Sequence, residues 1–229
     1  MFLHGYFPAI LQGLASTLTV AAVSLAIACV FGLMGAIAKL SGSRAAAFVA
    51  DVYTTLIRGL PELVLLLLIF YGGQIGINKL VDRFGLGYID INPFIAGTLT
   101  LGFIFGAYLT ETFRGAILAI PKGQIEAGHA YGMSGPQVLW RIMAPQMIRH
   151  AIPGFTNNWL VMIKATALVS IIGLDDMVHR ASLASSATRE PFTFYAAIAL
   201  MYLAVTTVSI LLLGMVERRY SIGVRGVEF

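Results

Sequence analysis

The segment Gly123–Pro145, GQIEAGHAYGMSGPQVLWRIMAP, is a polar interruption between two long apolar runs of the chain. Its first half predicts a short helix over about Gln124–Tyr131. Gly132 is expected to close that helix, because glycine adopts the left-handed conformation of a helix end without a side-chain penalty. The segment is too regular for a simple linker, and it predicts an ordered element outside the apolar runs.

The second half of the segment predicts another short helix. Ser134 would be its N-cap, Pro136 is tolerated in a first helical turn, and Gln137 completes a capping-box pattern. Pro145 is expected to end this helix. Two short polar helices in a chain this hydrophobic predict a surface that is offered to another protein at the membrane face.

Composition indicates an integral membrane protein. Of 229 residues, 58% are hydrophobic and 11% are charged, and the mean hydropathy is +0.84, which is outside the range of soluble globular domains. The net charge of +4 comes from basic residues scattered at segment ends, which argues against nucleic-acid binding. The lone Cys29 permits no intramolecular disulfide, and the four dispersed histidines have no metal-ligand spacing.

Five apolar segments approach or exceed the roughly 20 residues that cross a hydrocarbon core. They predict one all-α membrane domain, residues 1–229, with about five transmembrane helices. The predicted spans are, in chain order, about 14–38, 60–77, 94–120, 155–174 and 192–216. Residues 78–93 and 175–191 are predicted loops.

The distribution of Lys and Arg predicts the orientation, because short cytoplasmic loops carry an excess of both. Ten lie on the side of Gly123–Pro145: Lys39, Arg44, Arg58, Arg114, Lys122, Arg141, Arg149, Arg218, Arg219 and Arg225. Four lie on the other side, namely Lys79, Arg83, Arg180 and Arg189, and Lys164 falls inside a span. The N-terminus is therefore expected outside, and the C-terminus and Gly123–Pro145 inside.

The polar segment also resembles a known motif. Glu126, Ala127 and Gly128, followed by Gly132, Ile142 and Pro145, resemble the "EAA" loop of bacterial ABC-importer permeases, E-A-A-x3-G-x9-I-x-L-P. Gly128 replaces the third-position Ala, and Ala144 stands where Leu is usual, but the spacing is unchanged. Three further stretches, Thr54–Gly72, Gly106–Ala127 and Asn157–Asp176, are similar to the polar amino-acid subfamily, above all the histidine/lysine/arginine/ornithine permeases.

This resemblance implies a type I ABC-importer permease in the bacterial inner membrane. Its expected partners are a homologous permease in a heterodimer, two ATP-binding subunits and a periplasmic substrate-binding protein. The six motif residues would couple the chain to the ATP-binding subunits. The sequence lacks a G-x-x-x-x-G-K-[ST] loop, so ATP is expected on the partner subunits, and neither a cofactor nor an enzymatic activity is expected here.

The expected cargo is a polar or basic L-amino acid: arginine, ornithine, lysine or histidine. A permease for another polar amino acid such as glutamine, and a membrane scaffold that transports nothing, remain alternatives. An intramembrane enzyme would need a nucleophile with a paired base at membrane depth, and none of the four histidines lies in a predicted span.

Seven residues are candidates for the substrate pathway: Glu62, Glu111, Arg114, Lys164, Ser170, Asp175 and Asp176. Glu111 and Arg114 are three residues apart and would share a helix face, as a structural pair or as substrate contacts. The other charged candidates also keep more than one interpretation. Glu62 would complement a helix N-terminus or serve transport, and Lys164 would snorkel, pair with an acid or gate the cavity. Asp175 and Asp176 would attract cations or simply start a solvated loop.

Overall fold

Helices form almost all of the described chain. The computed structural model describes residues 2–220; residues 221–229, with Arg225 and the expected cytoplasmic C-terminus, lie outside the described residues. After a 3-10 turn at Phe2–Gly5, the elements are α1 (Phe7–Leu40), α2 (Arg44–Gly59), α3 (Glu62–Arg83), α4 (Pro93–Leu118), α5 (Lys122–Ala130), α6 (Gly135–Val138), a π turn (Leu139–Met143), α7 (Ala144–Ala165), a 3-10 turn (Thr166–Ile172), α8 (Met177–Thr188) and α9 (Pro191–Tyr220).

The five predicted spans correspond to five helical stretches that are long and apolar enough to cross a membrane. These stretches are α1, α3, α4, the continuous helical run Gly135–Ile172 and α9. Residues 2–220 contain no strand. The all-α fold and the number of spans are therefore confirmed, and α1 and α9 extend beyond the predicted spans at both ends, whereas α4 ends at Leu118, two residues before the predicted end.

Close packing of α1 against α4 forms the centre of the fold. Glycines permit this approach: a Cβ added at Gly32 would lie 2.7 Å from the Leu109 Cβ, and one at Gly102 would lie 2.6 Å from the Ile27 Cβ. The Ser24 hydroxyl donates to the Thr98 carbonyl at 3.2 Å and ties the two helices together. A larger residue at either glycine would force the helices apart.

The predicted loop 175–191 contains α8, which the sequence analysis missed. Asp176 caps its N-terminus by accepting a hydrogen bond from the His179 amide at 2.8 Å. The backbone of Met177 lies against Gly13 of α1, where an added Cβ would be 2.7 Å from the Met177 nitrogen. The small residues of α8 thus let it pack closely between α1 and α9, although α8 has no long apolar run.

Pro145 does not end the second helix of the polar segment, contrary to expectation. The chain stays helical from Gly135 to Ile172 because a π turn at Leu139–Met143 precedes the proline. In this turn the Ala144 amide donates to the Leu139 carbonyl, five residues back. This wider turn shifts the backbone hydrogen-bond pattern just before Pro145, which has no N–H to donate, and the helix continues through the proline.

The predicted loop 78–93 is shorter than expected, because α3 continues to Arg83. Two side chains of α3 hold the remaining loop. Gln74 donates to the Ile89 carbonyl at 2.5 Å and accepts from the Ile91 amide at 2.9 Å, and Asn78 also bonds both backbone groups of Ile89. The loop is thereby fixed against α3.

Candidate functional site

A network of charged side chains joins α1, α2 and α4. The Lys39 ammonium lies 2.6 Å from the Glu111 carboxylate and 2.7 Å from the Asp51 carboxylate, and it donates to the Thr54 hydroxyl at 2.7 Å. Arg114 donates twice to the other Glu111 oxygen, at 2.8 and 3.0 Å. The predicted pairing of Glu111 with Arg114 on one helix face is present. Two acids and two bases balance, so the network carries no net charge.

Burial makes the pairing in this network important. The Lys39 side chain is 9% exposed and that of Glu111 is 21% exposed. A charge at membrane depth is costly unless it is paired or faces an aqueous cavity. Both oxygens of Glu111 already accept hydrogen bonds from basic groups of this chain, so a cationic substrate that reached Glu111 would compete with Lys39 and Arg114.

A second polar group lies beside this network, at the junction of α2 and α3. The Arg58 guanidinium sits over the Tyr108 ring, 5.6 Å from its centroid. Glu62 follows directly after Pro61 at the first position of α3 and is half-buried. Its carboxylate is an electrostatic neighbour of the Tyr108 hydroxyl. Arg58 and Glu62 therefore bracket one aromatic side chain of α4.

Lys164 and Ser170 lie in the second half of the fourth span. Lys164 is exposed near the end of α7, and within residues 2–220 it has no ion-pair partner. Ser170 donates to the Ala167 carbonyl at 2.7 Å. It lines a polar cavity of about 260 Å³ together with His179, Ser182 and Tyr195.

The two adjacent aspartates have opposite environments. Arg180 holds Asp175 through two hydrogen bonds of 2.7 and 2.8 Å, and these bonds lower the pKa of Asp175 below its usual value. Arg180 also donates to the Ala9 carbonyl and to Gln12, so it joins α8 to α1. Asp176 is fully buried, and burial raises the pKa of its carboxyl to about 6. They thus act as an ion pair and a helix cap.

The polar segment that opens the sequence analysis begins with α5 and its closing turn. Gly132 has φ +81°, the left-handed conformation that was predicted. The Gly132 amide donates to the His129 carbonyl at 2.9 Å, and the Met133 amide donates to the Gly128 carbonyl at 3.1 Å. Ser134 and Gln137 form the predicted capping box, with the Ser134 amide donating to Gln137 at 2.8 Å.

The packing around Gly128 explains why glycine replaces the alanine of the motif at this position. A Cβ at this position would lie 2.6 Å from the Ile142 Cδ1 and 3.1 Å from the Val138 Cγ2. Glycine lets α5 rest directly on α6 and the π turn. Gln146 also donates to Gln124 at 2.5 Å, which ties α5 to the start of α7. The segment is therefore a packed unit.

The outer surface of this unit is available to a partner. Glu126 and Ala127 are exposed on α5, and Pro145 is exposed on α7. Two large aromatic residues are also exposed, Tyr131 at 87% and Trp140 at 73%. Exposed aromatic side chains beside polar ones are typical of protein interfaces.

The charged network contains two of the predicted substrate-pathway residues and two residues that were not predicted. Glu111 pairs with Arg114, whereas Glu62 and Lys164 form no ion pair with either residue in the described part of the chain. The sequence analysis missed Lys39 and Asp51 as members of a site, and it used Lys39 only to predict the orientation. Lys39 directly after an uncharged run was a usable signal, but its partner Glu111 is 72 residues away.

Five helices long and apolar enough to span a membrane, and a packed polar unit that exposes two aromatic side chains, define a multi-pass membrane protein with a surface suited to a partner protein. The family model described as "binding-protein-dependent transport system inner membrane component" matches residues 30–222. The chain belongs to this family, and it is a multi-pass protein of the inner membrane.

Relatives match over nearly the whole chain. The histidine/lysine/arginine/ornithine transport system permease protein HisQ of Salmonella typhimurium is 53% identical over 226 residues, 99% of each chain. The arginine ABC transporter permease protein ArtQ of Haemophilus influenzae is 42% identical over 212 residues, 93% of each chain. The octopine transport system permease protein OccQ of Rhizobium radiobacter is 41% identical and covers 95% of this chain and 92% of the relative.

Solved structures show the same fold. A chain from the crystal structure of an amino acid ABC transporter with histidines matches with a TM-score of 0.81 and 34% identity, over 96% of this chain and 98% of that chain. A chain of the inward-facing MetNI methionine ABC transporter matches with a TM-score of 0.72 and 15% identity, over 93% and 96%. The fold is that of a type I ABC-importer permease.

Proposed function

We propose that this chain is the permease subunit of an ATP-driven importer that carries basic L-amino acids across the bacterial inner membrane. The observation that carries the proposal is the 53% identity, over 99% of both chains, to a permease named for histidine, lysine, arginine and ornithine transport. The structure supports it with the packed unit of α5 and α6, which has the family's motif spacing and an exposed surface.

The proposed partners are a homologous permease, two ATP-binding subunits and a periplasmic substrate-binding protein. Two spans leave apolar surface that this chain does not cover: 11% of the apolar window of α9 and 17% of that of α3 are buried. Partner chains or lipid would cover the rest. The surface of Glu126, Tyr131 and Trp140 would dock on an ATP-binding subunit, which supplies the ATP site that this sequence lacks.

The first two proposed substrate contacts are Lys164 and Glu62, charged groups that form no ion pair within residues 2–220. Lys164 would bind the substrate carboxylate, because a charged group inside a span usually faces an aqueous pathway or another chain. Glu62 would attract the cationic side chain. Glu111 is a proposed contact only through displacement of one of its basic partners, and Ser170 would line the outer end of the path.

Reconstitution tests the substrate class. The complete transporter in proteoliposomes should show ATPase activity stimulated by arginine, lysine, ornithine or histidine together with the binding protein. Glutamine under the same conditions should stimulate less. Stimulation by glutamine alone would make this a permease for another polar amino acid, and purification without an ATP-binding subunit would favour the scaffold.

The proposed orientation places the N-terminus outside and the C-terminus inside. It follows from the ten-to-four distribution of basic residues across the predicted spans. A reporter active only in the cytoplasm should work when inserted within residues 130–135 or fused after Phe229, and it should be silent at residues 83–88. Activity at residues 83–88 would refute the orientation and the docking of α5 on a cytoplasmic partner.

A further inference from the structure

Helix α2 depends on polar contacts for its position against the rest of the chain. In the described part of the chain, three of its 16 residues are buried, Ala50, Thr54 and Ile57. Phe48 and Val49 on the same helix are 68% and 67% exposed. Because apolar stabilisation is roughly proportional to the area removed from water, apolar packing within this chain fixes α2 only weakly.

Three polar contacts join α2 to α4. The Tyr53 hydroxyl donates to the Phe103 carbonyl at 2.5 Å, and the Arg58 guanidinium lies over the Tyr108 ring. The third contact is made through Lys39, which belongs to neither helix. Lys39 lies near the end of α1 and binds α2 and α4 at once. One side chain thus connects three helices.

The Lys39 ammonium has one acceptor for each of its N–H groups. They are the Glu111 carboxylate of α4 at 2.6 Å, and the Asp51 carboxylate and Thr54 hydroxyl of α2, each at 2.7 Å. A lysine ammonium has three donors, so this arrangement uses its full capacity. The Lys39 side chain is 9% exposed, and water therefore competes little for these contacts. Lys39 forms a bridge between α2 and α4.

This bridge also separates two negative charges. Asp51 and Glu111 approach the same ammonium, so without Lys39 their carboxylates would face each other between α2 and α4. Like charges that share a site repel each other. Arg114 would still bind the other oxygen of Glu111, but Asp51 would lose its basic partner. Loss of Lys39 should therefore push α2 away from α4.

Helix α4 connects this bridge to the packed unit of α5 and α6. Residues 119–121 alone separate α4 from α5. Thr112, the neighbour of Glu111 on α4, accepts a hydrogen bond at 3.0 Å from Asn158 of the fourth span. Helix α2 packs against α1 and α4. A displacement of α5 would thus reach α2 through α4, and the Lys39 bridge lies on that route.

We infer that Lys39 is a positioning residue of the transport cycle: it makes α2 follow α4, so that a displacement of α5 moves both helices together. This role rests on the proposed function, because an ATP-binding subunit must dock on α5 to displace it. Lys39 touches no substrate in this role and acts through Asp51 and Glu111. If it served only to balance charge, removal of one positive and one negative charge together would have no effect.

Distance measurements in the complete transporter test whether α2 follows α4. Spin-labelled cysteines replace Phe48 of α2 and Leu118 of α4, which are 68% and 58% exposed. The natural Cys29 is replaced by alanine, and the partner subunits carry no labelled cysteine. Double electron–electron resonance should give one distance, unchanged between the nucleotide-free complex and the complex trapped with ATP and vanadate. A wild-type distance that changes between these states would overturn the inference without any substitution at position 39.

The same labels test the bridge itself. Lys39→Met should add a second, longer distance, because Asp51 and Glu111 then repel each other. Lys39→Arg keeps the cation and should restore most of the single distance. A single wild-type distance in Lys39→Met would show that the other contacts of α2 hold it in place without the bridge.

The number of amino acids imported per ATP hydrolysed separates positioning from charge balance. Lys39→Met should lower this ratio about fivefold or more, fivefold being the lower end of typical coupling between two sites. Lys39→Met combined with Asp51→Asn restores the charge balance but not the bridge, so assembly and melting temperature should recover while the ratio stays low. The matched control is Lys79→Met, the same change at an exposed lysine of α3, which should keep the wild-type ratio.

A wild-type ratio in Lys39→Met would overturn the inference, and a wild-type ratio in the double variant would show that Lys39 only balances charge. If neither variant assembles, the distances in the wild type and in Lys39→Arg decide. Failure of the proposed function gives a different result: basic amino acids would not stimulate the wild-type complex, whereas the distances are still measured with ATP and vanadate alone.

Discussion

Gly132 offers a direct test of whether a rigid α5 couples this chain to its partner. Its φ is +81°, and a Cβ added to it would meet no atom within 4 Å. A substitution here encounters open space, so the backbone conformation alone decides its cost. The closing turn holds the exposed Tyr131 at the end of α5.

The magnitude follows from the left-handed conformation. A non-glycine residue pays about 1–2 kcal/mol there, and a β-branched residue is the least tolerant, whereas asparagine visits this region readily. A cost of one or two kcal/mol changes an equilibrium by a factor of about 5 to 30. The population of the closed turn should therefore fall in the order Gly, Asn, Ala, Val.

The assay is the number of amino acids imported per ATP hydrolysed, measured with the assembled transporter in proteoliposomes. Gly132→Val should lower this ratio and the uptake rate, and Gly132→Asn should remain near wild type. Gly123→Val is the matched control, because Gly123 lies in α5, the helix that Gly132 closes, has no positive φ and also has open space around it. If Gly132→Val assembles and imports at the wild-type rate, Gly132 does not set the coupling geometry.

Three further perturbations test other residues. Glu111→Gln should raise the concentration of basic amino acid needed for half-maximal uptake without loss of assembly. Asp51→Asn, which removes the other acidic partner of Lys39, should leave that concentration unchanged. Unchanged uptake in Glu111→Gln would show that Glu111 is purely structural. Asp176→Asn should raise the melting temperature of the complex at pH 7.5. The pKa of Asp176 is about 6 in the folded protein and near 3.9 in an unfolded chain, so the wild type loses stability as pH rises from about 4 to 6. The variant should lack this loss, and a variant with the same pH profile of stability as the wild type would refute the prediction. Gly128→Ala should be tolerated because it meets the flexible end of Ile142, while Gly128→Leu should abolish stimulated ATPase activity by displacing α5; wild-type stimulation in the leucine variant would show that α5 need not rest on that side chain.

The sequence predicted those features that local patterns determine. Apolar runs predicted five spans because a bilayer requires about 20 apolar residues from each crossing helix. Gly132 and the Ser134–Gln137 pair predicted a helix end and a helix start, because both depend on residues within one turn. The continuous helix through Pro145 was missed, since a π turn several residues earlier decides how the chain accommodates that proline.

The charged network was outside the reach of a single sequence. Lys39 and Glu111 meet because Gly32, Gly102 and similar positions bring α1 and α4 together, and no local pattern states which two spans pack closely. For the same reason, the position of Glu111 on a helix face predicted its pairing with Arg114 but not its second partner. Helix α8 was missed because its small residues produce no apolar run to mark burial.

Helix α5 is linked to two spans, to one by the chain and to the other by packing. Three residues, 119–121, separate α5 from α4, which carries Glu111 and Arg114. On its other side, the hydrogen bond from Gln146 to Gln124 and the packing of Gly128 on Ile142 hold α5 to the long helical run of the fourth span. These two spans are themselves joined, because Asn158 donates to Thr112 at 3.0 Å. A displacement of α5 would therefore act on both spans together, and the ion pairs of Lys39 and Arg114 with Glu111 lie on the span that α5 follows directly.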